Sequence, residues 1–273
     1  MGGTEQSERS ARSERSPRGP IRPVRGKDGR GGLGNVLSGI AVAIGFALFL
    51  GGFVWGALVY QPYTVPTDSM VPTVMPGDRV LAQRIDGSEV RRGDVVVFTD
   101  DVWSNAPMVK RVVGIGGDTV RCCGQGGRLT VNGKELDEPY LDPGRSGAAS
   151  DTPFEVVVPE GNLFLLGDRR AASLDSRAHL QEAGQGTVAR SAVSARVDAR
   201  AWPSMQMLER PGATYAALDG GVSAPGPLRL QVIAVVAGAV LVLAGAAYGP
   251  LARVLGRTRR KDAPGPLEAT GGR

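Results

Sequence analysis

Two unbroken apolar stretches bracket the chain, and between them the hydrophobic positions come in short bursts. The first, "LSGIAVAIGFALFLGGFVWGALVY" from Leu37 to Tyr60, belongs to a region without any charge between Arg30 and Asp68. It exceeds the ~20 residues that a helix needs to cross a bilayer. It also exceeds the roughly 7–15 apolar residues of a cleavable leader, so a retained membrane helix is predicted over 33–60. The second, "LQVIAVVAGAVLVLAGAAYGPLA" between Arg229 and Arg253, predicts another span over 230–252. Two buried core helices are the alternative, and the length of both runs argues against it.

Between the spans the pattern changes to that of short strands. "DVVVF" (Asp94–Phe98), "MVKRVVGI" (Met108–Ile115), "FEVVV" (Phe154–Val158) and "LFLLG" (Leu163–Gly167) are rich in β-branched or bulky apolar residues and are bounded by Gly, Pro and Asp. Asn132-Gly133 in "GRLTVNGKEL" separates two alternating arms, a strong hairpin signal. No helical periodicity is long enough for a core helix here. The expectation is a mostly β domain over 61–210, then a loose linker over 211–229 ("PGATYAALDGGVSAPGPLR" spans Pro211–Arg229).

Charge refines this picture. The formal net charge is +5, but residues 1–30 hold eight basic against four acidic side chains and residues 253–273 six against two. The remainder is therefore slightly acidic, which excludes nucleic acid as an expected partner, since a DNA-binding domain concentrates basic charge on its folded face. The tail over 1–32 is rich in Arg, Ser, Gly and Pro and is expected to be disordered. Basic residues precede the first span and follow the second, with few between. This bias places both tails (1–32 and 253–273) in the cytoplasm and the β domain outside.

The two cysteines, Cys122 and Cys123, are adjacent. A vicinal bridge and a pair of small half-buried thiols both remain open, because neighbouring Cα atoms about 3.8 Å apart are closer than a disulfide usually spans. Two Cys and one His do not make a closed zinc site, and no cofactor is expected.

The candidate chemistry lies just after the first span. "TDSMVPTVMPGDRV" (Thr67–Val80) sets Ser69 among Asp68, Met70 and Pro72, and its prolines exclude a helix interior. A serine nucleophile needs a base. The single histidine, His179, lies in what reads as a solvated surface loop. The lysines are Lys27, Lys110, Lys134 and Lys261. The first and last fall in the tails, and Lys134 follows the Asn-Gly turn, where water keeps its proton in place. Lys110 remains. Strand alternation puts it between Met108 and Val112, where desolvation would lower its pKa. A strand lysine that snorkels to solvent fits the same periodicity equally well.

"SMVPTVMPGD" (Ser69–Asp78), "RGDVVVF" (Arg92–Phe98), "KRVVGIGGD" (Lys110–Asp118) and "GDRRAASLDSR" (Gly167–Arg177) stand in the order and spacing of type I signal peptidases, which this chain therefore resembles. The resemblance implies a membrane-bound serine protease with a β-sheet catalytic domain at the outer membrane surface, a Ser/Lys dyad and no cofactor. It implies Ser69 as nucleophile, Lys110 as general base, Thr67 as an oxyanion-binding hydroxyl, and Ser173 as the serine that orients the lysine. Asp175 and Arg177 match a bracing ion pair.

The chain departs from the family pattern at Arg169, usually Asn, and at Gly116, often Pro. The C-terminal span is likewise a variation on anchors that are commonly N-terminal. The implied partners are signal peptides of exported preproteins, the lipid bilayer and a nearby secretion translocon. Strand addition beside Ser69 would bind the substrate, with Val65 and residues near Val109 forming a wall. Rival readings are a self-cleaving Ser/Lys peptidase and a silent membrane-anchored β module that binds exported peptides.

Overall fold

The computed structural model describes residues 30–141 and 148–261, so the expectations for the tails over 1–29 and 262–273 lie outside it. Helix α1 runs from Arg30 to Val59 and α2 from Leu228 to Lys261. The first thus starts before the expected boundary, and the second continues past residue 252 into the basic segment. Within them, Leu33–Val59 and Leu228–Leu251 are long and apolar enough to cross a membrane.

The two helices pack antiparallel. Ser38 Oγ near the start of α1 donates to the Gly245 carbonyl of α2 at 2.7 Å. A Cβ on Gly45 would lie 2.8 Å from the Gly238 carbonyl oxygen, so the backbones approach where only glycine fits. The outward faces remain apolar, with Phe53 and Leu243 among the exposed side chains.

The described residues between them form mostly β strands with short 3₁₀ turns. The strands are β1 (Tyr60–Thr64), β2 (Arg79–Arg84), β3 (Val95–Asp100), β4 (Ser104–Ile115), β5 (Thr119–Cys122), β6 (Leu129–Val131), β7 (Lys134–Glu135), β8 (Phe154–Val157), β9 (Asn162–Leu166), β10 (Thr187–Ala189), β11 (Val193–Trp202) and β12 (Gln206–Met207). A larger sheet has the order β1-β2-β11-β3-β4-β9-β10, with β12 beside β11, and a smaller one the order β7-β6-β5-β8. All pairings are antiparallel. The expected mostly β chain with an apolar helix at each end is what forms.

The four apolar bursts become β3, β4, β8 and β9. The Asn132-Gly133 turn joins β6 to β7 with φ positive at both residues (52° and 75°), a conformation these two residue types tolerate. The sheets share a core of Val113, Val120, Leu129, Val156, Phe164 and Leu166.

The stretch expected as a linker over 211–229 is irregular up to α2, as its composition suggests, but it is not loose. Tyr215 (1% exposed) and Leu218 insert into the core between the sheets. Thr214 Oγ1 donates to the Asp137 carbonyl at 2.7 Å and Ser223 Oγ to Asp94 at 2.6 Å. Two apolar side chains and two hydroxyls, spaced along a Gly-rich segment without periodicity, fasten it to the domain. Cys122 and Cys123 form a vicinal disulfide across a cis peptide.

Candidate active site

Ser69 sits on no strand, and its segment, from which the prolines exclude a helix interior, turns repeatedly. Strand β1 stops at Thr64, and residues 67–74 fold into successive turns. Val71 N–H donates to the Asp68 carbonyl at 3.1 Å and Val74 N–H to the Met70 carbonyl at 3.0 Å. Burial drives this. Met70 and Val74 are fully buried in a cluster with Val65, Val80, Val95 and Val97, and only a curled backbone lets both reach it. The turn leaves Ser69 at the floor of a cleft.

That cleft, of about 500 Å³, is lined by Tyr63, Val65, Ser69, Val109, Lys110 and Leu174, among others. Strand β4 delivers Lys110 from one side. Its Nζ and the Ser69 Oγ are hydrogen-bonded at 2.8 Å, and both residues are buried. Of the neighbours expected to flank the lysine, Met108 lines the cleft, while Val112 is buried against Leu163 and Leu165. Burial pushes the Lys110 pKa below its ordinary value, against the opposing pull of Asp175 and Asp168 and with help from Arg177. Snorkelling does not occur.

Thr67 Oγ1 lies 3.3 Å from Ser69 Oγ. Ser173 makes no hydrogen bond to the lysine. Its buried Oγ has no hydrogen-bond partner among the described residues. The same hydroxyl lies against Gly167, where a Cβ would come within about the same reach of the Ser69 carbonyl. Asp175 accepts from the Gly167 N–H at 3.0 Å and pairs with Arg177 at 2.7 Å.

The two other candidate bases of the domain, Lys134 and His179, stay away from Ser69. Lys134 is exposed and donates to the Ala217 carbonyl. His179 stacks on Trp103 with ring centroids 4.6 Å apart and pairs with Glu182, so it is held rather than loosely solvated.

Sequence reasoning missed the support beneath the cleft. Arg111, next to Lys110, points away from it and grips Asp168 through two hydrogen bonds of 2.8 and 2.6 Å. Arg111 also donates to the Gly93 carbonyl at 2.9 Å and lies 4.1 Å from the centre of the Tyr140 ring. Arg170 pairs with Glu138. The only signal for this layer is its place beside the motif residues. Arg169 does not enter it. The side chain turns outward to Asp68, while its N–H donates to the Ser69 carbonyl at 3.0 Å. The departure from the usual Asn therefore leaves the Asp168 packing intact. Among the described residues no group of His, Cys, Asp and Glu is arranged to hold a metal.

This geometry coincides with similarity to known proteins. The signal peptidase family, peptidase S26, has a family model that matches residues 35–202. The chain is 36% identical over 149 residues to signal peptidase I of Bacillus licheniformis, covering 52% of this chain and 76% of that protein. It is 33% identical over 180 residues to signal peptidase IB of Staphylococcus aureus, covering 60% and 87%. A solved signal peptidase I from Enterococcus faecalis V583 gives 26% identity over 39% of this chain and 94% of that one, with a TM-score of 0.31. Because the family model takes in α1, the turn that carries Ser69 and the larger sheet as far as the end of β11, the chain belongs to the signal peptidases of the S26 family, serine endopeptidases that cleave signal peptides.

Proposed function

We propose that Ser69 and Lys110 form the catalytic dyad of this signal peptidase. The observation that carries the proposal is the 2.8 Å contact between Ser69 Oγ and a lysine amine depressed in pKa by burial. A neutral amine at that distance accepts the hydroxyl proton as Oγ attacks the scissile carbonyl. The tetrahedral oxyanion is held by the Ser69 N–H and the Thr67 hydroxyl. The amine returns its proton to the leaving nitrogen, and the same lysine then activates the water that hydrolyses the acyl-enzyme. Ser173, whose hydroxyl is unengaged, orients the lysine as the substrate enters. The Asp175–Arg177 and Asp168–Arg111 pairs brace the segment after β9 that meets Ser69, the second by holding it to β4.

The substrate lies along the edge strand β1, with its side chains toward Val65 and Val109. The helices lie in the bilayer with both termini cytoplasmic, and the β domain rests on the outer surface near the translocon. Ser69 lies only nine positions after Tyr60, at most about 30 Å of chain. The nucleophile is thereby kept in the layer where the small-residue cleavage site follows the apolar part of a signal peptide.

Mass spectrometry of a preprotein after incubation with the parent, Ser69→Ala and Lys110→Met tests the dyad. Cleavage at one bond by the parent alone is expected, and cleavage by either variant at the parental rate would refute the assignment.

A further inference from the structure

The helices do not close completely against the sheet. Where α1 and α2 meet β1 and β2, an apolar notch of about 450 Å³ opens, walled by Phe53, Gly56, Pro62, Leu81, Val232 and Val236. Gln231 of α2 also lines it. That residue is 3% exposed, yet neither its Nε2 nor its Oε1 has a hydrogen-bond partner among the described residues. A buried amide without partners is costly, and hydrocarbon offers no water to relieve it. Across the notch, α1 presents bare backbone. A Cβ built on Gly56 would meet only Gln231 Oε1, at 3.7 Å, whereas at Gly45 and Gly52 it would crowd α2.

We propose that this notch binds the apolar segment of the signal peptide, and that the Gln231 amide hydrogen-bonds the backbone where that segment's helix ends. The inference rests on the proposed function. Three considerations select a peptide over a lipid tail. An acyl chain carries no donor or acceptor for the amide, whereas the last four carbonyls of a helix lack partners of their own. A signal peptide carries its apolar segment on the N-terminal side of the cut, as this chain carries α1 on the N-terminal side of Ser69. Substrate and enzyme therefore leave the bilayer in the same direction and lie side by side along β1. Finally, seven residues lead from Pro62 in the notch to Ser69 in the cleft, at most about 25 Å of chain. That matches a substrate whose cleavage site lies a few residues beyond its apolar run.

The test uses the full-length protein in phosphatidylcholine vesicles. Gln231→Leu should raise KM for a preprotein about two- to tenfold, the range expected for one lost hydrogen bond, with kcat unchanged. Its kcat/KM toward a short peptide bearing only the cleavage site should match the parent. Gly56→Leu, which fills the notch from α1, should do the same. A photoreactive residue in place of Phe53 should crosslink to the apolar stretch of the preprotein. Adducts to phospholipid alone, an unchanged KM in both variants, or equal losses on both substrates would overturn the proposal. Failure of the Ser/Lys reading shows separately, as cleavage by Ser69→Ala, and leaves the crosslink and KM comparison informative.

Discussion

Lys110 is held out of water by the walls that position it, and its depressed pKa has two consequences. The proposed dyad needs the neutral amine, so kcat/KM is expected to rise with pH through the lysine pKa and then level. A pH–rate series on the solubilised enzyme checks this, and a steady decline from pH 6 to 9 would contradict it. Stability follows the same proton. The unfolded chain keeps it up to the ordinary lysine value of about 10.4, while the folded chain releases it earlier. The unfolded state therefore binds more protons between the two values, and stability rises with pH across that window. Lys110→Met removes the term. Its melting temperature should exceed the parent's at neutral pH, and the gap should narrow as pH climbs toward 10. For Thr67, loss of one oxyanion donor typically costs ~10²–10³ in rate. Thr67→Val should lose that much in kcat, while Thr67→Ser stays close to the parent.

At the level of elements, β4 serves two layers at once. Alternation sends Lys110 into the cleft and Arg111 to the buried carboxylate of Asp168, with side chains 2% and 0% exposed. Removing one partner from such a pair leaves a buried charge alone and costs about 3–5 kcal/mol. Asp168→Ala should lose that much in a urea titration and, because Asp168 neighbours the Ser69 carbonyl contact of Arg169, lose activity too. Strand β11 shows why central strands can escape a hydrophobicity pattern. It lies between β2 and β3, yet carries buried Arg196 and Asp198. These charges are tolerated because Arg196, Arg210, Asp94 and Asp198 pair with one another, with Tyr60 and Ser223 donating to the two carboxylates.

At the scale of the molecule, the segment 211–228 makes the second helix part of the β domain. Arg92 donates to the Asp219 carbonyl at 2.5 Å while pairing with Asp118. Tyr215 fills the space between the sheets, close to the backbone of β4, and Leu228 N–H donates to the Tyr60 hydroxyl at 3.1 Å. The start of α2 is therefore tied to the end of α1 and, through Tyr215, to the strand that bears Lys110. Tyr215→Ala should cost about 3–5 kcal/mol, as for other large aromatic truncations. Proteolysis of the purified protein should then cut within 211–228, where the parent resists.

The sequence by itself determined the pieces whose physics is local. Two uncharged runs of apolar residues longer than a bilayer is thick became helices of membrane-crossing length, and β-branched bursts between turn residues became short strands. That Ser69 and Lys110 would meet was legible because the blocks around them resemble those of type I signal peptidases, and the structure sets their tips 2.8 Å apart. Tertiary structure decided the rest. Met70 and Val74 had to reach a core assembled from β2, β3 and β11, so the Ser69 segment curled into turns. Arg111, Asp168 and the charges of β11 carry no local sign of burial, and partners distant in sequence neutralise them. Tyr215 and Leu218 turned an unpatterned, glycine-rich stretch into a fastening. In each case the deciding contact lies across the fold, and periodicity along the chain carries no trace of it.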